Sequence, residues 1–219
     1  MLVFEFDAGL AGTTAEDFVA KLLVERFGAA GVVTGADFTF GKGAKGNIDV
    51  LREVGAAHGL KNEAVSAISD SDDVISSSRI RAALKEGHCE EANRLLTRPF
   101  AIRGEVIHGD KNGRILGYPT ANIDIGEYLR PKYGIYAVKG LLPDGRVLKG
   151  AANLGIRPSF DPPKELLEPF FFDFSEDLYG QTIEIELHHF LRGERKFDDL
   201  DALKVQMEKD CDKARELLA

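Results

Sequence analysis

Segment 181–190, QTIEIELHHF, limits the possible folds of this chain more than any other stretch. Ile183, Ile185 and Leu187 alternate with Glu184, Glu186 and His188. That two-residue period belongs to a strand with one face in a core and the other in water. Similar runs occupy 100–108 (FAIRGEVIH), 133–142 (YGIYAVKGLL) and 146–154 (RVLKGAANL), and Pro143-Asp144-Gly145 supplies a turn between the last two. Segment 199–218 reads as an amphipathic helix with Leu203, Met207 and Leu217 near one face. Short strands followed by such a helix predict a small closed or Greek-key barrel with a helix packed on it.

The first half has another rhythm. In 13–28, Thr13 precedes Glu16 by three residues as in a capping box, Phe18, Leu22 and Phe27 follow at roughly helical spacing, and Gly28 is the stop. Segment 30–35 (AGVVTG) predicts a buried strand, 47–59 a helix, 65–68 a strand and 78–87 a helix. Strand and helix alternate as in a parallel α/β sheet. The chain nevertheless opens on Leu2-Val3-Phe4, with no βα unit before them. The change of character near Thr97-Arg98-Pro99 sets two domains, 1–96 and 97–219.

A net charge of −8 without a long basic run argues against nucleic acid as a partner, while a small phosphorylated ligand needs only local positive charge. No apolar run reaches the length of a membrane span, and no signal peptide opens the chain. Cys89 and Cys211 stand far apart and form neither a disulfide framework nor a zinc spacing, which predicts reduced thiols in a cytoplasmic protein. Oligomeric state is left open.

Segment 108–122, HGDKNGRILGYPTAN, carries the chemistry. Gly109, Gly113 and Gly117 surround Lys111 and Arg114, and backbone that must approach an anion closely needs glycine. Thr120 and Asn122 alternate along an extended stretch and share a face. The combination suits a phosphate chain with its Mg²⁺. Taken alone, the string also fits a tight turn with Thr and Asn bonded to backbone. His108 fits a hydrogen-bonded structural role. His188 and His189 point to opposite sides of a strand and make a poor metal pair.

Together with YGIYAV, AANLGIRPSF, DFSEDLYG and LRGERKF, that string closely resembles the riboflavin kinase module of bacterial bifunctional riboflavin kinase/FAD synthetases, over Arg98 to the C-terminus and in the expected order. The first half, through ADFTFGKGAKGN (36–47) and ISSSRIR (75–81), resembles the later part of the family's FMN adenylyltransferase module. The resemblance implies a partial nucleotidyltransferase-type, Rossmann-like α/β domain followed by a six-stranded Greek-key β-barrel with a C-terminal helix. It implies ATP and riboflavin as substrates, FMN as product and Mg²⁺ as cofactor. Thr120 and Asn122 become the Mg²⁺ and phosphate ligands, and Gly109, Lys111, Gly113 and Gly117 belong to the loop over the nucleotide. Glu168, ahead of the strand that ends in Asp173-Phe174, becomes the general base, although Pro169 and Phe170 stand where the family has a β-branched and a polar residue. Arg192 falls near flavin and phosphate. Ser76, Ser77, Arg79 and Arg81 match a segment that helps bind ATP phosphates during adenylyl transfer; an ordinary serine cap on an amphipathic helix is the alternative. The adenylyltransferase module's opening strand, with its histidine-containing motif, is expected upstream of Met1. This reading expects FMN, and little or no FAD, from the chain as given.

Overall fold

Gly31 and Gly35 bracket Val32, Val33 and Thr34, and this run forms β1 (Gly31–Gly35). The computed structural model describes residues 3–71, 73–109, 113, 117–157, 163–197 and 199–219, in two compact units, Met1–Ile75 and Ser76–Ala219. In the first unit β1 pairs in parallel with β2 (Lys61–Val65), from Gly31 opposite Lys61 to Gly35 opposite Val65. The second strand thus lies ahead of the predicted 65–68. Its polar KNEAV hid it, because only Asn62 and Ala64 turn toward protein.

Asp7 caps a short helix, α1 (Ala8–Ala11), and the Thr13 hydroxyl donates back to Gly9 O at 3.1 Å. The predicted capping box therefore shifts by one residue. Thr14 Oγ1 accepts from Asp17 N at 3.1 Å and starts α2 (Ala15–Asp17), which continues as a π-helix over Phe18–Arg26 and ends before Gly28. Asn47 Oδ1 accepts from Asp49 N and Val50 N, both at 3.0 Å, and opens α3 (Ile48–Ala57). Ala15, Val19, Phe40, Leu51 and Leu60 form the core of this unit.

The second unit starts at Ser76, ahead of the boundary read at residue 97. Ser76 caps α4 (Ser77–Glu86), Gly87 ends it, and α5 (Cys89–Leu96) follows. Asn93 fastens α5 to the barrel: its Nδ2 donates to Leu187 O at 2.9 Å, and its Oδ1 accepts from Phe100 N at 2.8 Å. Cys89 is fully buried in the barrel core, and desolvation pushes its thiol up to about 12.

The barrel has six strands, β3 (Phe100–Ile107), β4 (Asn122–Asp124), β5 (Gly134–Leu141), β6 (Val147–Arg157), β7 (Lys164–Phe171) and β8 (Thr182–Arg192). They close in the order β3-β4-β7-β6-β5-β8, all antiparallel. The run β5-β6-β7 with β4 returned beside β7 is a Greek key. Ile102, Tyr136, Leu154, Leu167 and Ile185 fill the interior with no exposure. Glu168 stands inside β7 rather than ahead of a strand, and Asp173 lies beyond the end of β7 at φ +54°.

Helix α6 (Leu200–Leu217), capped by Asp199, lays Cys211, Ala214 and neighbouring Leu218 on the outer barrel face of Ala137, Ala151 and Phe172. Leu217, expected on the buried face, is 37% exposed. The buried position belongs to Asp210, 7% exposed, which Arg192 holds by three hydrogen bonds of 2.6–3.1 Å.

Candidate active site

Side chains alternate across a strand, so the inward Ile123 and Leu167 fix Asn122 and Glu168 on the outside of the barrel. Ile123 pairs with Leu167 and Asp124 with Leu166, and Ala121 N donates to Pro169 O at 3.0 Å. This register sets Asn122 beside Glu168. On the other flank Glu168 pairs with Asn153, Asn153 with Ile135, and Ile135 with Arg192. Asn122, Glu168, Asn153, Ile135 and Arg192 thus cross the outer surface of the barrel in one row.

Pro169 is accommodated by the same register. Its backbone nitrogen points toward Ala121, just outside the pairing of β4, so the donor it lacks is missing at the end of a ladder. The Phe170 ring turns outward and meets Tyr118 edge-on, ring centres 5.1 Å apart.

The glycines of 108–122 explain how the loop reaches the row. A Cβ on Gly109 would stand 2.6 Å from Asn122 Nδ2, and one on Gly113 would collide with Tyr118 O and lie 3.4 Å from Thr120 Oγ1. Only residues without side chains let the backbone pass this close to the hydroxyl and the amide. Asn122 is 7% exposed, yet no hydrogen bond ties its amide to another described residue. Gly117 takes φ +84° where the loop turns into Tyr118. Lys111 and Arg114 lie outside the described residues.

Glu168 is mostly buried, with 18% of its side chain exposed. Arg157 donates through Nε and Nη2 to its Oε2 and reaches Glu194 at 3.5 Å. Burial works against the Arg157 charge, but Glu168 and then Glu194 hold the guanidinium above its ordinary value. Among the described residues nothing hydrogen-bonds Glu168 Oε1. Beside Thr120 a cleft of about 400 Å³ opens at the barrel mouth, lined by Pro119, Pro169, Phe174, Leu178 and Tyr179 among others. The His108 ring packs on Tyr179 at 3.9 Å.

Of the remaining residues singled out from sequence, Arg192 belongs to the row and Ser76, Ser77, Arg79 and Arg81 belong to α4 and its cap. Arg192 ends the row, with its fork taken by Asp210. Ser76 Oγ accepts from Arg79 N at 3.2 Å, Arg79 pairs with Glu91 of α5, and Ser77 and Arg81 are exposed. Sequence reading overlooked Asn153 and Arg157, although both lie in the quoted motif AANLGIRPSF.

The riboflavin kinase family matches residues 96–218, and the FAD synthetase family matches residues 1–79. The barrel and row therefore sit in a flavin-nucleotide-forming transferase. Bifunctional riboflavin kinase/FMN adenylyltransferase of Haemophilus influenzae is 39% identical over 215 residues, covering 98% of this chain and 70% of the relative. The Escherichia coli K12 protein of that name is 37% identical over 216 residues, with 99% and 69% covered. The Bacillus subtilis one is 37% identical over 222 residues, with 98% and 68% covered. The chain belongs to the bifunctional riboflavin kinase/FMN adenylyltransferase family. A solved structure described as a macrolide-efflux protein from Streptococcus pneumoniae superposes with a TM-score of 0.83 at 32% identity, over 96% of this chain and 68% of that one. Among the described residues no helix is long and apolar enough to cross a membrane.

Proposed function

We propose that residues 97–219 phosphorylate riboflavin: the ribityl 5′-oxygen bonds to the γ-phosphorus of ATP, the bond from that phosphorus to the β-γ bridging oxygen breaks, and FMN and ADP leave. The observation that carries this reading is the register that sets Glu168 beside Asn122 on one outer face, with Gly109 and Gly113 packed against Asn122 and Thr120. Phosphoryl transfer asks a protein mainly to position donor and acceptor and to stabilise charge. The cleft beside Thr120 takes the nucleoside of ATP, and Gly109, Gly113 and Gly117 serve its phosphates. Glu168 Oε1 takes the 5′-hydroxyl proton as the new bond forms, while Arg157 on Oε2 fixes the carboxylate. Arg192 flanks the flavin and keeps α6 over the end of the row.

Thr120 and Asn122 fit a hard cation: both offer neutral oxygen, and the buried Asn122 amide has no other described partner. They would hold Mg²⁺, which supplies charge neutralisation on the phosphate oxygens when bound. Adenylyl transfer is the second reading, favoured by the match of residues 1–79 to FAD synthetase, with Ser76, Ser77, Arg79 and Arg81 at the start of α4 assigned to ATP phosphates.

Incubation with riboflavin, ATP and Mg²⁺ followed by chromatography of the flavins tests both readings. FMN is the expected product, FAD beside it establishes the second activity, and absence of FMN overturns the first. Glu168→Gln should lower turnover by roughly 10²-fold or more while riboflavin affinity stays within about twofold. Wild-type turnover in that variant would assign the base elsewhere.

A further inference from the structure

Asn153 Oδ1 is buried and has no hydrogen-bond partner among the described residues. Buried polar atoms in folded proteins are nearly always paired, and an unpaired one calls for a specific explanation. The position of Asn153 supplies it. The residue lies on the outer face between Ile135 and Glu168, directly opposite each in the ladder. Directly opposed residues on one face stand roughly 5 Å apart at Cβ. Two residues further along the same face is Gly155, and the Glu194 carboxylate lies where its Cβ would stand, so on that side the row is bordered by Glu194 rather than by a side chain of β6.

We infer that Asn153 Oδ1 accepts a hydrogen bond from a secondary hydroxyl of the ribityl chain whose terminal hydroxyl faces Glu168. The inference rests on the kinase reading above and extends it to how the acceptor is recognised. Glu168 has one oxygen taken by Arg157 and needs the other for the reacting hydroxyl, so it cannot also hold the polyol. An amide oxygen one strand away accepts without adding negative charge to a site that receives phosphate. The neighbouring Ile135 offers only hydrocarbon. Asn153 therefore binds the polyol and selects a hydroxylated chain over an alkyl one.

Asn153→Leu removes the polar atoms at similar volume, and Asn153→Ser returns an acceptor. Leu should raise KM for riboflavin roughly five- to tenfold, with KM for ATP within about twofold, and Ser should recover part of the loss. Because the wild-type acceptor is unpaired without substrate, Leu should leave the melting temperature unchanged or raise it. A fall in melting temperature with both KM values altered would mean a structural role and overturn the inference, as would an unchanged riboflavin KM. Quenching of riboflavin fluorescence separates the two readings. Binding weakened by Asn153→Leu in a chain that makes no FMN overturns the kinase reading and keeps the contact. No riboflavin binding by any variant overturns both.

Discussion

The two sheets of this chain solve the strand-edge problem in opposite ways. In the barrel each strand has a neighbour on both sides, and the interior side chains reach zero exposure. In the first unit β1 and β2 pair only with each other among the described residues. One face of that pair, with Val32, packs on its own helices, while Val33 and Val65 on the other are 67% and 51% exposed. Parallel strands are usually covered on both faces, so a pair with an open face derives its stability from one side only. Closure accordingly concentrates stability in the barrel, the unit that also carries the row from Asn122 to Arg192.

The largest test of this contrast is Ile185→Ala. Ile185 has no exposure, and truncation there should cost about 2–5 kcal/mol in urea unfolding of the barrel unit. A loss below about 1 kcal/mol would show that the closed core is not where the stability lies.

Acid should have an intermediate effect. Four carboxylates of the barrel unit are held below their ordinary values of 3.8 for Asp and 4.5 for Glu: Asp144 by the backbone and side chain of Arg146, Glu165 by Arg130 and then Tyr133, Asp173 by Arg215, and Glu176 by Arg146. A group depressed in the folded state stabilises above its ordinary value and loses that contribution as pH falls through the depressed one. The barrel melting temperature should therefore hold down to about pH 5 and decline gradually from there to about pH 3. The decline should be modest because these pairs are largely exposed. A melting temperature that rises across this range would contradict the assignment.

The smallest expected effect is Val33→Thr, on the open face of the first unit. Its unfolding free energy should change by no more than about 0.5 kcal/mol. A loss well above about 1 kcal/mol would show that this face is covered in solution and would dissolve the contrast.

Legibility followed burial on one face. β3, β5, β6 and β8 were readable because inward apolar residues alternate with outward ones. β7 was placed too late, as a strand beyond Glu168 that ends in Asp173-Phe174, because both its faces are covered: Leu166 and Leu167 are adjacent and fully buried, and Pro169 breaks the expected pattern. β4 is three residues long and shows no period at all. In the candidate site, the closeness of Thr120 and Asn122 was readable because they are neighbours in sequence. Asn153 and Arg157 were not, because what singles them out is the pairing of β6 with β7 and an ion pair to Glu168, neither of which leaves a local mark. The partner of Arg192 was equally unreadable, since Asp210 lies eighteen residues away on α6.

Asn93 and Cys89 give the barrel a floor. The matched kinase family region begins at residue 96, yet the thiol that seals one end of the interior and the amide that clips it there both come from upstream. α5 works as a cork supplied from outside the bottle. A cut made where the family likeness begins would leave Tyr136, the largest side chain of that interior, facing an open drain.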